Sequence, residues 1–249
     1  MDNTVAASGV GVLDKAVTIL GALADRGPAS LAELVGATGL ARPTVHRLAV
    51  ALERQGLVGR DDSGRFRLGA RLVAWGSQAA VGLASGLVVV EAAGPVLAHL
   101  RDTTDESAQL YVRDRATRVC VAAAERRTGL RDTVPVGAAL SLTAGSGAKV
   151  LLAWSDPLEP LPAGVDAAEV AAVRRRGWAS SVGEREPGVA SVSAPVLDGS
   201  DRAVAAVSVS GPIERLGRRP GVRFAAAVVA AARDLERRAG LAGPVEDPA

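Results

Sequence analysis

Residues 30 to 69 constrain this chain more than any other stretch. Two short helical patterns meet at the turn Ala37-Thr38-Gly39-Leu40, and a hairpin pattern follows in Leu57-Val58-Gly59-Arg60-Asp61-Asp62-Ser63-Gly64-Arg65-Phe66-Arg67-Leu68-Gly69. Ser30 stands as an N-cap with Glu33 three residues on, a capping-box signature, and Leu31, Leu34 and Val35 supply the apolar stripe behind it. Gly39 offers the left-handed conformation that a tight helix exit needs. The second helix is expected to open at Arg42-Pro43, because proline fits only the first turn, and to run to Gln55 with Gly56 just past its end. Helical spacing turns Val45, Leu48 and Leu52 inward and Pro43, His46, Arg47, Val50 and Arg54 outward, with Arg42 and Thr44 close to the helix start. Helix, turn, helix and hairpin in this order predict a winged helix-turn-helix, a module that sets one helix in the DNA major groove.

Charge supports that reading over an ordinary helical hairpin. Arg60, Arg65 and Arg67 stud the two hairpin strands with phosphate-seeking charge around the Asp61-Asp62-Ser63-Gly64 turn. From Leu40 to Arg71 seven arginines face three acids, Glu53, Asp61 and Asp62, while the whole chain carries a net charge of only +2. The basic patch is therefore local. All of the 29 basic residues except Lys15 and Lys149 are arginine, which with the abundant alanine and glycine reads as the coding bias of a GC-rich genome.

The 249 residues suit two compact domains, each able to bury a core. A single cysteine, Cys120, flanked by Val119 and Val121, reads as a buried strand thiol in a reducing compartment, and no internal disulfide is available. Met1 to Gly9 is small and polar rather than a secretory leader, and no apolar run is long enough to span a bilayer, so a cytoplasmic protein without membrane partners is expected. Order is expected to be lost only at the ends, Met1 to Ser8 and Gly243 to Ala249.

Val12 to Ala24, with Leu13, Val17, Leu20 and Leu23, predicts a first helix that completes a three-helix winged domain over residues 10–69. A linker helix over 70–86 follows, with Leu72, Trp75, Ala79 and Leu83 along one stripe; Trp75 fits either packing on its own domain or a contact with a second copy. Another helix is expected from Leu87 to Arg101. Strand formers then dominate in Ala108 to Tyr111 and Arg118 to Ala124, split by a polar turn at Arg113 to Thr117. Helices are expected at Gly147 to Trp154, Ala167 to Arg176 and Phe224 to Ala239, with strands at Trp178 to Val182, Ala190 to Leu197 and Ala203 to Ser210. The second domain, 87–242, is thus read as α+β, a mixed sheet flanked by helices of the sort that encloses a small molecule.

At this point the residues resemble the IclR-type transcriptional regulators. Gly39-Leu40-Ala41-Arg42-Pro43-Thr44-Val45-His46-Arg47-Leu48 and Gly64-Arg65-Phe66-Arg67-Leu68-Gly69 look like that family's helix and wing signatures. Leu142 to Ala153, Gly183 to Ser191 and Ala205 to Pro212 look like blocks of its effector domain. The chain is similar, more narrowly, to an actinobacterial branch that regulates leucine and other amino-acid biosynthesis. The resemblance implies a homodimer, or a dimer of dimers, that reads a pseudo-palindromic double-stranded operator, and a GAF-like domain that binds a small organic effector such as leucine or a related carboxylate. The outward helix face and the basic wing already place the expected DNA contacts on Arg42, Pro43, Thr44, His46, Arg47, Arg54, Arg65 and Arg67. The resemblance matches Ser208 and Ser210 to a serine pair that holds ligand, while Ser191 stands where some members have cysteine and Ser181 where some have aspartate. Ala148 replaces a glycine common before the family lysine, here Lys149.

Physical chemistry gives that pocket a role of its own. The Gly145-Ser146-Gly147 turn leads into a helix whose free N–H groups favour a carboxylate, and Ser146, Ser191, Ser208 and Ser210 offer directional hydroxyls. Lys149 is expected to pair structurally rather than touch ligand. A serine hydrolase is the competing enzyme reading, but the chain has only His46 and His99 and neither G-x-S-x-G nor a Walker lysine motif. With one cysteine and two distant histidines no metal cluster or cofactor is expected. A sensor whose winged domain binds a protein partner is the remaining alternative.

Overall fold

The computed structural model describes residues 10–82 and 86–241, with side chains outside 77–87. The two chain ends expected to be poorly ordered, the linker position Leu83 and the side chain of Ala79 lie outside what is described. The chain divides into two compact units, one ending at Gly82 and one beginning at Leu83.

In the first unit, helices α1 (Gly11–Arg26), α2 (Leu31–Thr38) and α3 (Arg42–Arg54) precede strands β1 (Val58–Arg60) and β2 (Phe66–Leu68) and helix α4 (Ala70–Gly82). The capping box forms as the spacing predicts: Ser30 N–H donates to Glu33 Oε2 at 2.7 Å and Glu33 N–H to Ser30 Oγ at 3.3 Å. Gly39 takes the left-handed conformation, φ 66°, that ends α2 and redirects the chain into α3. Ile19, Leu23, Leu34, Val45, Leu48, Ala49, Leu52, Val58 and Phe66 make one core. The α1 stripe differs from the expected one. Ile19 and Leu23, four residues apart, are the buried pair, while Leu13 is 52% exposed because it lies a turn beyond the region α2 and α3 cover. The wing pairs antiparallel from Val58↔Leu68 to Arg60↔Phe66 and is anchored to the start of α2 by two Ala29–Phe66 backbone bonds of 2.8 Å. Gly69 closes it, since a Cβ there would lie 2.1 Å from the Gly56 carbonyl oxygen. Trp75 on α4 is 50% exposed with the Arg71 guanidinium over its ring, so it does not pack into the core of its own unit.

The second unit runs α5 (Gly86–Thr104), β3 (Ser107–Asp114), β4 (Thr117–Ala124), β5 (Ala139–Ser141), α6 (Ser146–Ala153), α7 (Ala167–Arg176), β6 (Ala179–Val182), β7 (Val189–Leu197), β8 (Ala203–Pro212), α8 (Ile213–Leu216) and α9 (Pro220–Arg238). Its six strands lie in the order β5-β4-β3-β8-β7-β6. The expectation of a mixed sheet is corrected: every pairing is antiparallel. Tight connections between β3 and β4, β6 and β7, and β7 and β8 force antiparallel neighbours, because only a long crossover returns a strand parallel. The short edge strand β5 and helix α8 were not anticipated. One sheet face packs Leu110, Val192 and Val207 against Val96 and Leu100 of α5 and Phe224, Val228 and Leu235 of α9. The other packs Tyr111, Cys120 and Ala206 against Leu151 of α6 and Val173 of α7. The alternation of strand side chains thus feeds two cores and makes α+β layers.

Candidate functional site

In the first unit the outward face of α3 is as predicted at most positions. Arg42, Pro43, His46, Arg47 and Arg54 are exposed, and Thr44 and Val50 half-buried. Its arginines differ from those of the wing in what they touch. Arg42, Arg47 and Arg54 have neither a hydrogen-bond acceptor nor an acid partner among the described residues. Arg60 donates to Glu53 Oε1 at 3.0 Å and to the Gly64 carbonyl, and stacks over Phe66. Arg65 donates to the Pro28 carbonyl at 2.7 Å and to Glu33 Oε2 at 3.1 Å. Arg67 donates to the carbonyls of Arg60 and Leu68. The wing arginines therefore brace the wing, and the free cations stand on the helix. A cleft of about 320 Å³, lined by Ser30, His46, Arg60, Ser63 and Arg65, lies between helix and wing tip.

In the second unit the antiparallel register assembles the serines. Ser181 faces Ser191, Ser191 faces Ser210 and Ser210 faces Ser107, so one row of hydroxyls crosses four strands. The next row on the same face holds Ser193, Ser208 and Gln109. Ser146, at the first turn of α6, donates or accepts at 2.6 Å with Ser191 and 2.7 Å with Ser193. Ser181 bonds Ser191 at 2.9 Å, Ser193 bonds Ser208, and Ser210 Oγ donates to Gln109 Oε1 at 3.1 Å. All five expected serines, 146, 181, 191, 208 and 210, meet here. None of these bonds involves a histidine; His46 and His99 are both exposed, so no base stands ready to activate a serine.

Several residues of this site were not anticipated. Ser193 repeats the alternation of Ser208 and Ser210, a signal that strand periodicity carried. Tyr111, Arg118, Asp132 and Arg185 also line the enclosed cavity. Arg118 rises from an apolar strand and is buried; its Nη1 donates to the carbonyls of Ser141 and Ala144, the latter at 3.0 Å. Burial pulls its guanidinium below the ordinary arginine value. Arg185 Nη2 reaches both Asp132 carboxylate oxygens at 2.8 Å; burial would lower Arg185, but Asp132 holds it above its usual value. The start of α6 is already served within the chain: Gly145 N–H donates to Glu184 Oε2 at 3.2 Å, and Lys149 pairs at 2.6 Å with both Glu184 and Glu169. Lys149 thus pairs structurally. The cavity enclosed by these groups measures about 20 Å³, room for about one water. A wider open cleft of about 650 Å³ lies along α7, but its charged groups are paired on one another: Arg174 is held by the Trp154 ring and Asp201, and Glu159 by Arg113.

Cys120 is fully buried and burial pushes its thiol up to about 12, as a packed strand cysteine requires. No described helix is long and apolar enough to cross a membrane.

Sequence comparisons agree with both halves. The profile of the IclR helix-turn-helix domain matches residues 12–62, and that of the bacterial transcriptional regulator IclR C-terminal domain matches 81–161 and 167–237. The chain is 30% identical over 246 residues to the HTH-type transcriptional regulator BhcR of Paracoccus denitrificans, covering 91% of this chain and 86% of that protein. It is 34% identical over 205 residues to the glycerol operon regulatory protein of Streptomyces griseus, covering 75% and 78%. The crystal structure of Pseudomonas aeruginosa HmgR superposes with a TM-score of 0.56 at 29% identity, over 94% of this chain and all of that one (100%). A winged reader joined to an antiparallel α+β domain, matched in order by both profiles, is the plan of a DNA-binding regulator and not of an enzyme: the chain belongs to the IclR family of bacterial transcriptional regulators.

Proposed function

We propose that this regulator reads a pseudo-palindromic operator as a homodimer, or a dimer of dimers, and answers to a small organic effector held by the serine cluster of its second unit. The observation that carries the DNA reading is the row of exposed arginines on α3, Arg42, Arg47 and Arg54, with no internal acceptor among the described residues. Cations left free on a helix beside a wing suit phosphate and base edges. His46, Pro43 and Thr44 complete that face, and Arg65 and Arg67 act through the wing they brace. Exposed apolar side chains, Val12 and Leu13 on α1 and Trp75 on α4, support self-association.

The effector reading rests on the convergence of Ser146, Ser181, Ser191, Ser208 and Ser210 on one cavity. Effector binding shifts the population of dimer geometries, and with it the spacing of the recognition helices. A leucine-like effector would set its branched apolar side chain against a lining in which Val189 is the only aliphatic residue. Amino-acid biosynthesis genes remain among the targets to be tried, supported by the sequence resemblance rather than by the lining. Fluorescence anisotropy on the DNA upstream of its own gene and of leucine-biosynthesis genes, against a scrambled duplex at fixed salt, tests the reading. Selective binding that falls steeply with ionic strength is expected. Equal weak binding to every duplex would favour a protein partner for the winged unit.

A further inference from the structure

The wing carries less free positive charge than its arginines suggest. Each of the three commits its guanidinium within the first unit: Arg60 to Glu53 and the Gly64 carbonyl, Arg65 to Glu33 and the Pro28 carbonyl, Arg67 to the carbonyls of Arg60 and Leu68. Glu53 and Glu33 offset two of those charges by ion pairing. The turn between the strands holds two acids, and only one of them is occupied. Asp61 Oδ1 accepts from Ser63 N–H at 3.0 Å and from Arg65 N–H at 2.9 Å, and so shapes the turn. Asp62 is exposed, and no donor or cation meets its carboxylate among the described residues. The outermost charge of the wing is therefore negative.

That charge stands beside the face that carries the free arginines. Ser63 and Gly64, the next two residues of the turn, line one cleft with His46 of α3 and Ser30 at the start of α2. A duplex that takes α3 into its major groove brings its backbone toward this tip. Phosphates that approach within the screening length, about 8 Å at physiological salt, meet the Asp62 carboxylate as a like charge.

We propose that Asp62 is a specificity-determining residue that acts by repulsion, keeping the wing tip from clamping the phosphate backbone of DNA that α3 does not match. This rests on reading α3 as the helix that enters the groove. An unmatched duplex is held almost entirely through phosphates, in whichever poses give the most contact, and the carboxylate removes those in which the wing clamps the backbone. A matched duplex is held in one pose set by base edges on α3, where the tip has less to lose. A repulsive element that weakens the wrong partner more than the right one widens the gap between them.

Anisotropy titrations of the full chain test this on two duplexes, one scrambled and one enriched from a random pool by the unmodified protein. Asp62→Asn is expected to tighten the scrambled duplex about threefold to tenfold at about 0.1 M salt, and the enriched duplex by no more than about twofold. Asp62→Glu keeps the charge and should bind both duplexes as the unmodified protein does. Asp62→Lys should tighten the scrambled duplex further and steepen its log–log salt slope by about one. The gain in Asp62→Asn should shrink as salt rises, because screening removes the repulsion it relieves. Since the Asp62 side chain holds nothing in the fold, all three variants should melt at the temperature of the unmodified protein. Scrambled-duplex affinity that is unchanged or weaker in Asp62→Asn, or a gain that persists at high salt, would overturn the proposal. Equal tightening of both duplexes would overturn it as well, since the charge would then lower affinity without discriminating. Weakening of the enriched duplex alone would overturn it in favour of a base contact, a carboxylate accepting from a cytosine amine. Arg47→Ala, titrated alongside, separates the two readings. If it weakens binding while Asp62→Asn changes nothing, α3 stays the reader and the repulsion falls; if it leaves both duplexes unchanged, the assignment of α3 falls.

Discussion

Arg47 and Arg65 carry the same charge but differ in role, because Arg47 has no acceptor among the described residues and Arg65 is tied to the Pro28 carbonyl and Glu33. Arg47→Ala should weaken operator binding about tenfold and lower the log–log salt slope by about one, as loss of a single phosphate contact does. An unchanged affinity in the anisotropy titration would remove α3 from the groove. Arg65→Ala should instead lower the thermal stability of the first unit and affect DNA only through a looser wing. Cys120 makes a chemical prediction of the same kind. With its thiol fully buried and pushed up to about 12, it should resist a thiol-specific reagent at neutral pH in the folded protein and react promptly in denaturant. Prompt reaction of the native protein would show that β4 opens.

Elements divide by how local their causes are. The capping box of α2 is written in two residues, Ser30 and Glu33, and the structure adds Arg65 from the wing to the same carboxylate. Ser30→Ala should therefore cost about 1 kcal/mol in a denaturant melt of the first unit, and a cost near zero would mean the Ala29–Phe66 bridge alone sets the helix start. Gly39, Pro43 and Gly56 likewise act within a turn of where they stand, and for that reason the helix-turn-helix was legible in the sequence. So was the serine pair of β8, because Ser208 and Ser210 share a face whatever the sheet order. Sheet order itself was not legible. Nothing within β3 announces that Gln109 lies beside Ser208, and the mixed sheet expected from the run of elements gave way to short turns that force antiparallel neighbours. Arg118 was hidden for the same reason: in sequence it is one polar residue in an apolar strand, and only the carbonyls of Ser141, at the end of β5, and Ala144 show where its guanidinium is buried. The α1 stripe failed by a smaller margin, since the apolar spacing fits Leu13 as well as Ile19 and only the partners decide. The Ser208→Ala, Ser210→Ala pair should leave operator affinity intact and blunt the effector response, and a full response in the anisotropy assay would remove β8 from the pocket.

The whole molecule consists of two units with separate cores, the one built on Ile19, Val45 and Leu52 and the other layered on both faces of the sheet. The proposed function requires that the free energy of effector binding in one unit bias the state in which the other binds DNA. That bias is reciprocal. If the effector changes operator affinity by some factor, the operator must change effector affinity by the same factor, whichever direction the regulation takes. Two titrations on one preparation check it: operator binding at zero and saturating effector, and effector binding at zero and saturating operator. Equal factors, typically about fivefold to a hundredfold and more, are expected for a dimer that switches between two states. Melting curves give the same information by element, because a ligand stabilises the state it binds by mass action. Operator should raise the transition of the first unit and effector that of the second. If each transition with both ligands present equals that with its own ligand alone, neither higher nor lower, the units are independent, and the serine cavity regulates something other than DNA binding.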